Sequence, residues 1–170
     1  MNLIAALEKK HSARIKSQIV RYVGDNPKRF KELFDLLVSD NPRHVQWSGW
    51  ALSDIVQRHP HLITPYLRGL LKKVNSKAHV SIKRNTMRII QFIDIPKTLT
   101  GLVFDKAFSL FTDTSESIAT RVFSMTALRK VAMMVPDLKN EVIIVIEEQI
   151  PYGSPAFRSR AKADLKNLRK

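Results

Sequence analysis

Trp47, Trp50 and Asp54 form the one group of side chains in this sequence whose types and spacing suggest chemistry. At about 100° per residue along a helix, the three fall within about 60° of one another. They turn away from a stripe of small and apolar residues at Ser48, Ala51 and Ile55. Both tryptophans of the chain therefore share one helix flank with a carboxylate. An aromatic flank beside a carboxylate is a pattern that can stabilise developing positive charge. The same residues fit a purely structural role, with the indoles packed on a neighbouring element and Asp54 capping or pairing locally.

Other reactive types are less organised. The histidines are His11, His44, His59, His61 and His79. No two sit three or four apart with an acidic partner, as a zinc-hydrolase helix requires, so they read as loop and cap residues. Glu147 and Glu148 are adjacent and point different ways from a helix, which argues against paired acid–base work. There is no phosphate-binding glycine loop and no nucleophile elbow. The absence of cysteine removes disulfides, thiolate nucleophiles and cysteine-based metal sites, and it fits a reducing cytoplasm. No metal and no cofactor is expected.

Basic residues do form patterns. Arg68 and Lys72, Arg84 and Arg88, and Arg158, Lys162 and Lys166 are four-residue steps that align along helix faces. With Lys73 and Lys83 they are the candidate polyanion-binding residues. They read equally well as solvated faces. The chain as a whole has 29 basic and 15 acidic residues, a net charge of +14. Residues 1–85 hold 16 of the basic and 6 of the acidic residues, so the excess lies toward the N-terminal half. A field of that size attracts polyanions and speeds encounter with them.

The elements that would carry these residues are helices throughout. Apolar residues recur three, four and seven apart, and no stretch alternates with period two over the length of a strand. Ser12 is placed to cap a helix bearing Ile15, Ile19, Val20 and Val23, after a short leading turn at 2–7. Asn26-Pro27 and Asn41-Pro42 each combine an N-cap with a proline at the first helical position, where its missing N–H is not needed. A fourth helix begins near Thr64-Pro65, and a fifth follows the turn at Asn75-Ser76. A sixth follows Asp94-Ile95-Pro96. Ser115 to Ile150 supplies a seventh and an eighth, separated at Pro136, and Ser154-Pro155 opens a ninth.

Every second helix repeats a pattern. The small residues Ser17, Ser48, Thr86, Ser124 and Ala161 are separated by 31, 38, 38 and 37 residues. Three further on stand Val20, Ala51, Ile89, Ala127 and Asp164, then Arg21, Leu52, Ile90, Leu128 and Leu165. Helix pairs of this length cannot bury both apolar faces alone and need copies of themselves alongside. The pattern resembles the HEAT repeat, in which a basic residue precedes the small one and an Ala-Leu pair follows. Arg14, Lys83, Arg121 and Arg158 occupy the basic position, while Val45 departs from it. The chain is similar to small bacterial HEAT-like proteins that end in a basic helix containing Ala-x-Ala, here Ala161-Lys162-Ala163.

That resemblance implies an all-α fold, a right-handed α-α superhelix (a HEAT/armadillo-like solenoid) of about four helix pairs plus a C-terminal capping helix. It implies one domain over 1–170, with units at 12–40, 41–76, 77–114, 115–153 and 154–170. The function it implies is a non-enzymatic scaffold presenting a basic solenoid surface to a macromolecular partner, a protein. Charge adds the alternative of a module for nucleic acid or another polyanion. HEAT-like DNA glycosylases, which excise alkylated bases, resemble the chain in fold and use a Trp and an Asp four apart, as Trp50 and Asp54 are. The surrounding sequence of those enzymes is missing here. The longest apolar run, 142–146, is far short of a membrane span, and the opening apolar run is too short for a signal sequence. The expectation is a soluble cytoplasmic protein.

Overall fold

The computed structural model describes residues 1–9 and 12–170; Lys10 and His11, one of the histidines considered above, lie outside the described residues. All regular structure among the described residues is helical. The chain forms two compact units, Met1–Ile93 and Asp94–Lys170.

The first unit contains α1 (Leu3–Glu8), α2 (Ala13–Val23), α3 (Pro27–Leu37) and α4 (Pro42–Arg58). A 3-10 segment at Pro60–Tyr66 then leads into α5 (Leu67–Lys73) and α6 (Val80–Ile90). The predicted caps are present. Ser12 accepts from the Ile15 N–H, Asn26 from Arg29, and Asn41 from Arg43 and His44. Gly24 ends α2 at φ 48°, a left-handed conformation that favours glycine. The centre of the unit is α4, which packs against α1, α2, α3 and α6. Its stripe of Val45, Ser48, Ala51, Leu52 and Ile55 is buried. Gly49 lies directly against α6: a Cβ there would run into the Asn85 amide, whose NH2 donates to the Ser81 carbonyl at 2.9 Å.

Two local expectations shift. The leading turn is a full helix, α1, capped by Asn2. Thr64-Pro65 lies inside the 3-10 segment, and the α-helix starts only at Leu67, because Pro60 and Pro65 remove two N–H donors from that stretch. The turn at Asn75-Ser76 precedes α6 as expected, and His79 caps the helix, its Nδ1 accepting from the Ser81 N–H at 3.1 Å. Ser17 is exposed, whereas Ser48, Thr86, Ser124 and Ala161 are buried. Of the helices that carry the repeated pattern, α2 packs on α4 alone, whereas α4 packs on α2 and α6.

The second unit contains α7 (Thr100–Thr112), α8 (Ile118–Met134), α9 (Lys139–Gln149) and α10 (Pro155–Leu168), with 3-10 turns leading into α7 and α9. Here α8 is central and touches the other three helices. It ends just before Pro136, and its stripe of Ser124, Ala127, Leu128 and Val131 is fully buried. Arg121 pins the unit from within. Its Nε donates to the Phe111 carbonyl at 3.0 Å and its Nη2 to Gln149 Oε1 at 2.7 Å. The guanidinium also lies against the Phe111 and Phe157 rings, which stack 5.8 Å apart. The basic position of the repeat is therefore structural in this copy.

Candidate functional site

The flank of α4 bearing Trp47, Trp50 and Asp54 faces α2. Trp47 sits over a small pocket shared with Ala6, Leu7, Ile15 and Ile19, so it packs on the neighbouring helices. Asp54 is not paired locally. Its Oδ2 accepts from Lys16 Nζ of α2 at 2.5 Å, and its Oδ1 from Arg88 Nη2 of α6 at 3.1 Å. One carboxylate thus ties three helices together. The Lys16 ammonium also lies 4.5 Å from the centre of the Trp50 ring, on its face. These groups are four-fifths buried at Lys16 and Asp54, with side-chain exposures of 20% and 19%. At such burial an ion pair is less screened than on an open surface.

Beside this cluster an open groove of about 240 Å³ runs between α2 and α4, lined by Lys16, Ser17, Val20, Arg21, Asp54 and Arg58. Arg21 and Arg58 occupy the last turns of α2 and α4 and are exposed. Neither has an ion-pair partner among the described residues. The groove therefore has a neutralised floor and a positive rim.

The remaining candidates are spread out. Arg68, Lys72 and Lys73 are exposed on α5, and Arg84 and Lys83 are half-buried on α6. Lys83 reaches back to the Ser76 carbonyl at 3.5 Å. Arg88, grouped with Arg84 by spacing, instead turns to Asp54. In the second unit Arg158, Lys162 and Lys166 are exposed along α10. The same helix turns two other groups inward: Asp164, buried, accepts from Thr126 Oγ1 at 2.9 Å and Arg129 Nε at 2.8 Å, while Arg160 donates to Thr126 at 2.9 Å. Burial pushes the Asp164 carboxyl above the usual carboxylate range, against the pull of Thr126, Arg129 and Arg160.

The four described histidines make their contacts within the first unit. His44 bonds Glu8 at 2.8 Å beside Arg43, whose guanidinium caps the end of α1 through the carbonyls of Leu7, Glu8 and Lys9. His59 and His61 both face Asp25, at 3.5 and 2.8 Å. No group of three or more His, Cys, Asp or Glu among the described residues is arranged to hold a metal ion. Glu147 and Glu148 are exposed, and Glu147 pairs with Arg169.

Lys16 and Arg58 stand outside the sequence patterns, whereas Arg21 and Asp164 enter only as positions of the repeat, Asp164 in line with the buried Ala51, Ile89 and Ala127. One signal was available. Asp54 stands 38 residues from Lys16 and 34 from Arg88, and Asp164 stands 38 from Thr126 and 35 from Arg129. These intervals are one repeat long, so polar groups one period apart are the ones to pair.

No curated protein and no solved structure matches the chain. No helix among the described residues is long and apolar enough to cross a membrane. The family description "HEAT repeat domain" matches residues 3–168. With stacked helices, buried small residues at four of the five repeated positions and polar ties one repeat apart, the chain belongs to the HEAT repeat domain family.

Proposed function

We propose that this protein is a non-enzymatic interaction module, a scaffold that offers a basic surface to an acidic protein partner in the cytoplasm. The observation that supports it best is the state of Asp54 and Trp50. Base excision needs the carboxylate and the aromatic face open to an extruded nucleotide. Here Lys16 and Arg88 hold the carboxylate, and Lys16 covers a face of the indole. What remains open is charge: residues 1–93 carry 17 basic and 6 acidic side chains. HEAT repeats as a class use extended repeat surfaces to engage protein partners. In this reading the whole of 1–170 acts as one domain, and neither a cofactor nor a metal takes part.

The test is direct. Incubation with duplex DNA carrying alkylated purines is expected to release no base. Release by the wild-type protein that disappears in Asp54→Asn would replace the scaffold with a glycosylase. A second reading, nucleic-acid binding, draws on Arg68, Lys72 and Lys73, which are all exposed within the seven residues of α5. Its test is the salt dependence described in the Discussion.

A further inference from the structure

We propose that the groove between α2 and α4 is the socket for an acidic peptide segment of the partner, with a carboxylate side chain seated between Arg21 and Arg58. The assignment rests on the scaffold reading and deepens it. The groove is open, and its two rim guanidiniums are exposed and unneutralised among the described residues. The carboxylate already present, Asp54, is held by Lys16 and Arg88, so it presents a compensated floor. Each guanidinium offers a planar fork that matches a carboxylate bidentately. Val20 supplies an apolar wall for the methylenes of a glutamate.

The geometry favours a carboxylate over a phosphate. Sites for phosphate commonly use backbone N–H groups at a helix N-terminus, where the dipole also favours negative charge. This groove lies at the C-terminal halves of α2 and α4, where carbonyls end the helices and the dipole opposes an anion. Only side-chain cations offset that, which suits a singly charged group better than a dianion. Nor is there a stacking platform for a nucleobase, because Lys16 already lies over Trp50. Arg21 and Arg58 also complement the helix dipoles, a structural role that would leave ligand binding unchanged when they are replaced.

The test uses the full chain and a glutamate decapeptide at low salt, followed by tryptophan emission. Both tryptophans lie on α4, and one carries Lys16, a groove residue, on its ring face. The expected result is a saturable emission change in the wild type. Affinity should be at least tenfold weaker in Arg21→Gln/Arg58→Gln, which should stay folded, its melting temperature lowered only slightly by the loss of two helix-dipole partners. Lys97→Gln/Lys170→Gln, which removes the same charge at exposed positions elsewhere, should bind as the wild type does. Equal affinity in the groove variant overturns the socket while leaving a basic scaffold in place. Tighter binding of inorganic phosphate or duplex DNA through the same two arginines also overturns it, by making the occupant a phosphate. Absence of peptide binding by the wild type overturns it as well. Base release from alkylated DNA is the separate result that removes the scaffold reading itself.

Discussion

Thr86 fills the small position of the repeat in α6 and is fully buried, yet its hydroxyl has no hydrogen-bond partner among the described residues. Desolvating such a group without compensation costs about 1–3 kcal/mol. Thr86→Val keeps the shape and removes the hydroxyl, so it should raise unfolding stability by about 1 kcal/mol. Chemical denaturation checks this, and a clear loss would show that the hydroxyl has a partner. Asp164 makes the opposite case, a buried carboxyl with partners whose protonated form burial still favours. Because its folded pKa is raised, its contribution to stability is full below the ordinary value of 3.8 and is lost as pH rises through the folded value. The stability difference between the wild type and Asp164→Asn should therefore shift against the wild type as pH climbs above 3.8. Paired denaturation curves from acid to neutral pH measure it; a difference that moves the other way would mean that Arg129 and Arg160 outweigh burial.

At the scale of the element, α10 is the informative case. Its outer face carries Arg158, Lys162 and Lys166, which gives it the look of a charged tail. Its inner face buries Phe157, Ala161, Leu165 and Leu168, and Phe157 completes the stack with Phe111 and Arg121. Burying a large apolar side chain contributes roughly 1.5–3 kcal/mol. Deleting residues 157–170 should therefore cost several kcal/mol and leave apolar surface on α8 and α9 that promotes aggregation. Thermal melts with light scattering read this out. A truncated chain that stays monomeric and melts as the full one does would show α10 to be dispensable.

At the scale of the whole molecule the question is what the net charge of +14 does. If it serves only long-range attraction, duplex DNA should bind weakly and without sequence preference. Its affinity should fall with salt at a slope of roughly 0.9 per phosphate contacted. Lys72→Gln/Lys73→Gln/Arg84→Gln should flatten that slope, whereas Trp50→Ala should leave it nearly intact. Titrations at low and moderate salt decide. Binding that is tight and insensitive to salt would give nucleic acid a specific place on the surface and displace the acidic protein as the partner.

Helix class, most caps and the buried stripes were legible in the chain because they depend on residues three to seven apart, whose geometry a helix dictates. Asn26-Pro27, Asn41-Pro42 and the Ser124, Ala127, Leu128 and Val131 stripe stand in the structure as read. The start of α5 departs from the expected Thr64-Pro65 because two prolines there compete with the α-helical bonding pattern. The partners of Asp54 and Asp164, and the capping of α1 by Arg43, were decided only by tertiary structure. Each joins groups about 34–38 residues apart. A polar side chain on a helix flank can meet any of several neighbours, and the crossing and offset of packed helices select among them. Helical periodicity names the flank; packing names the partner.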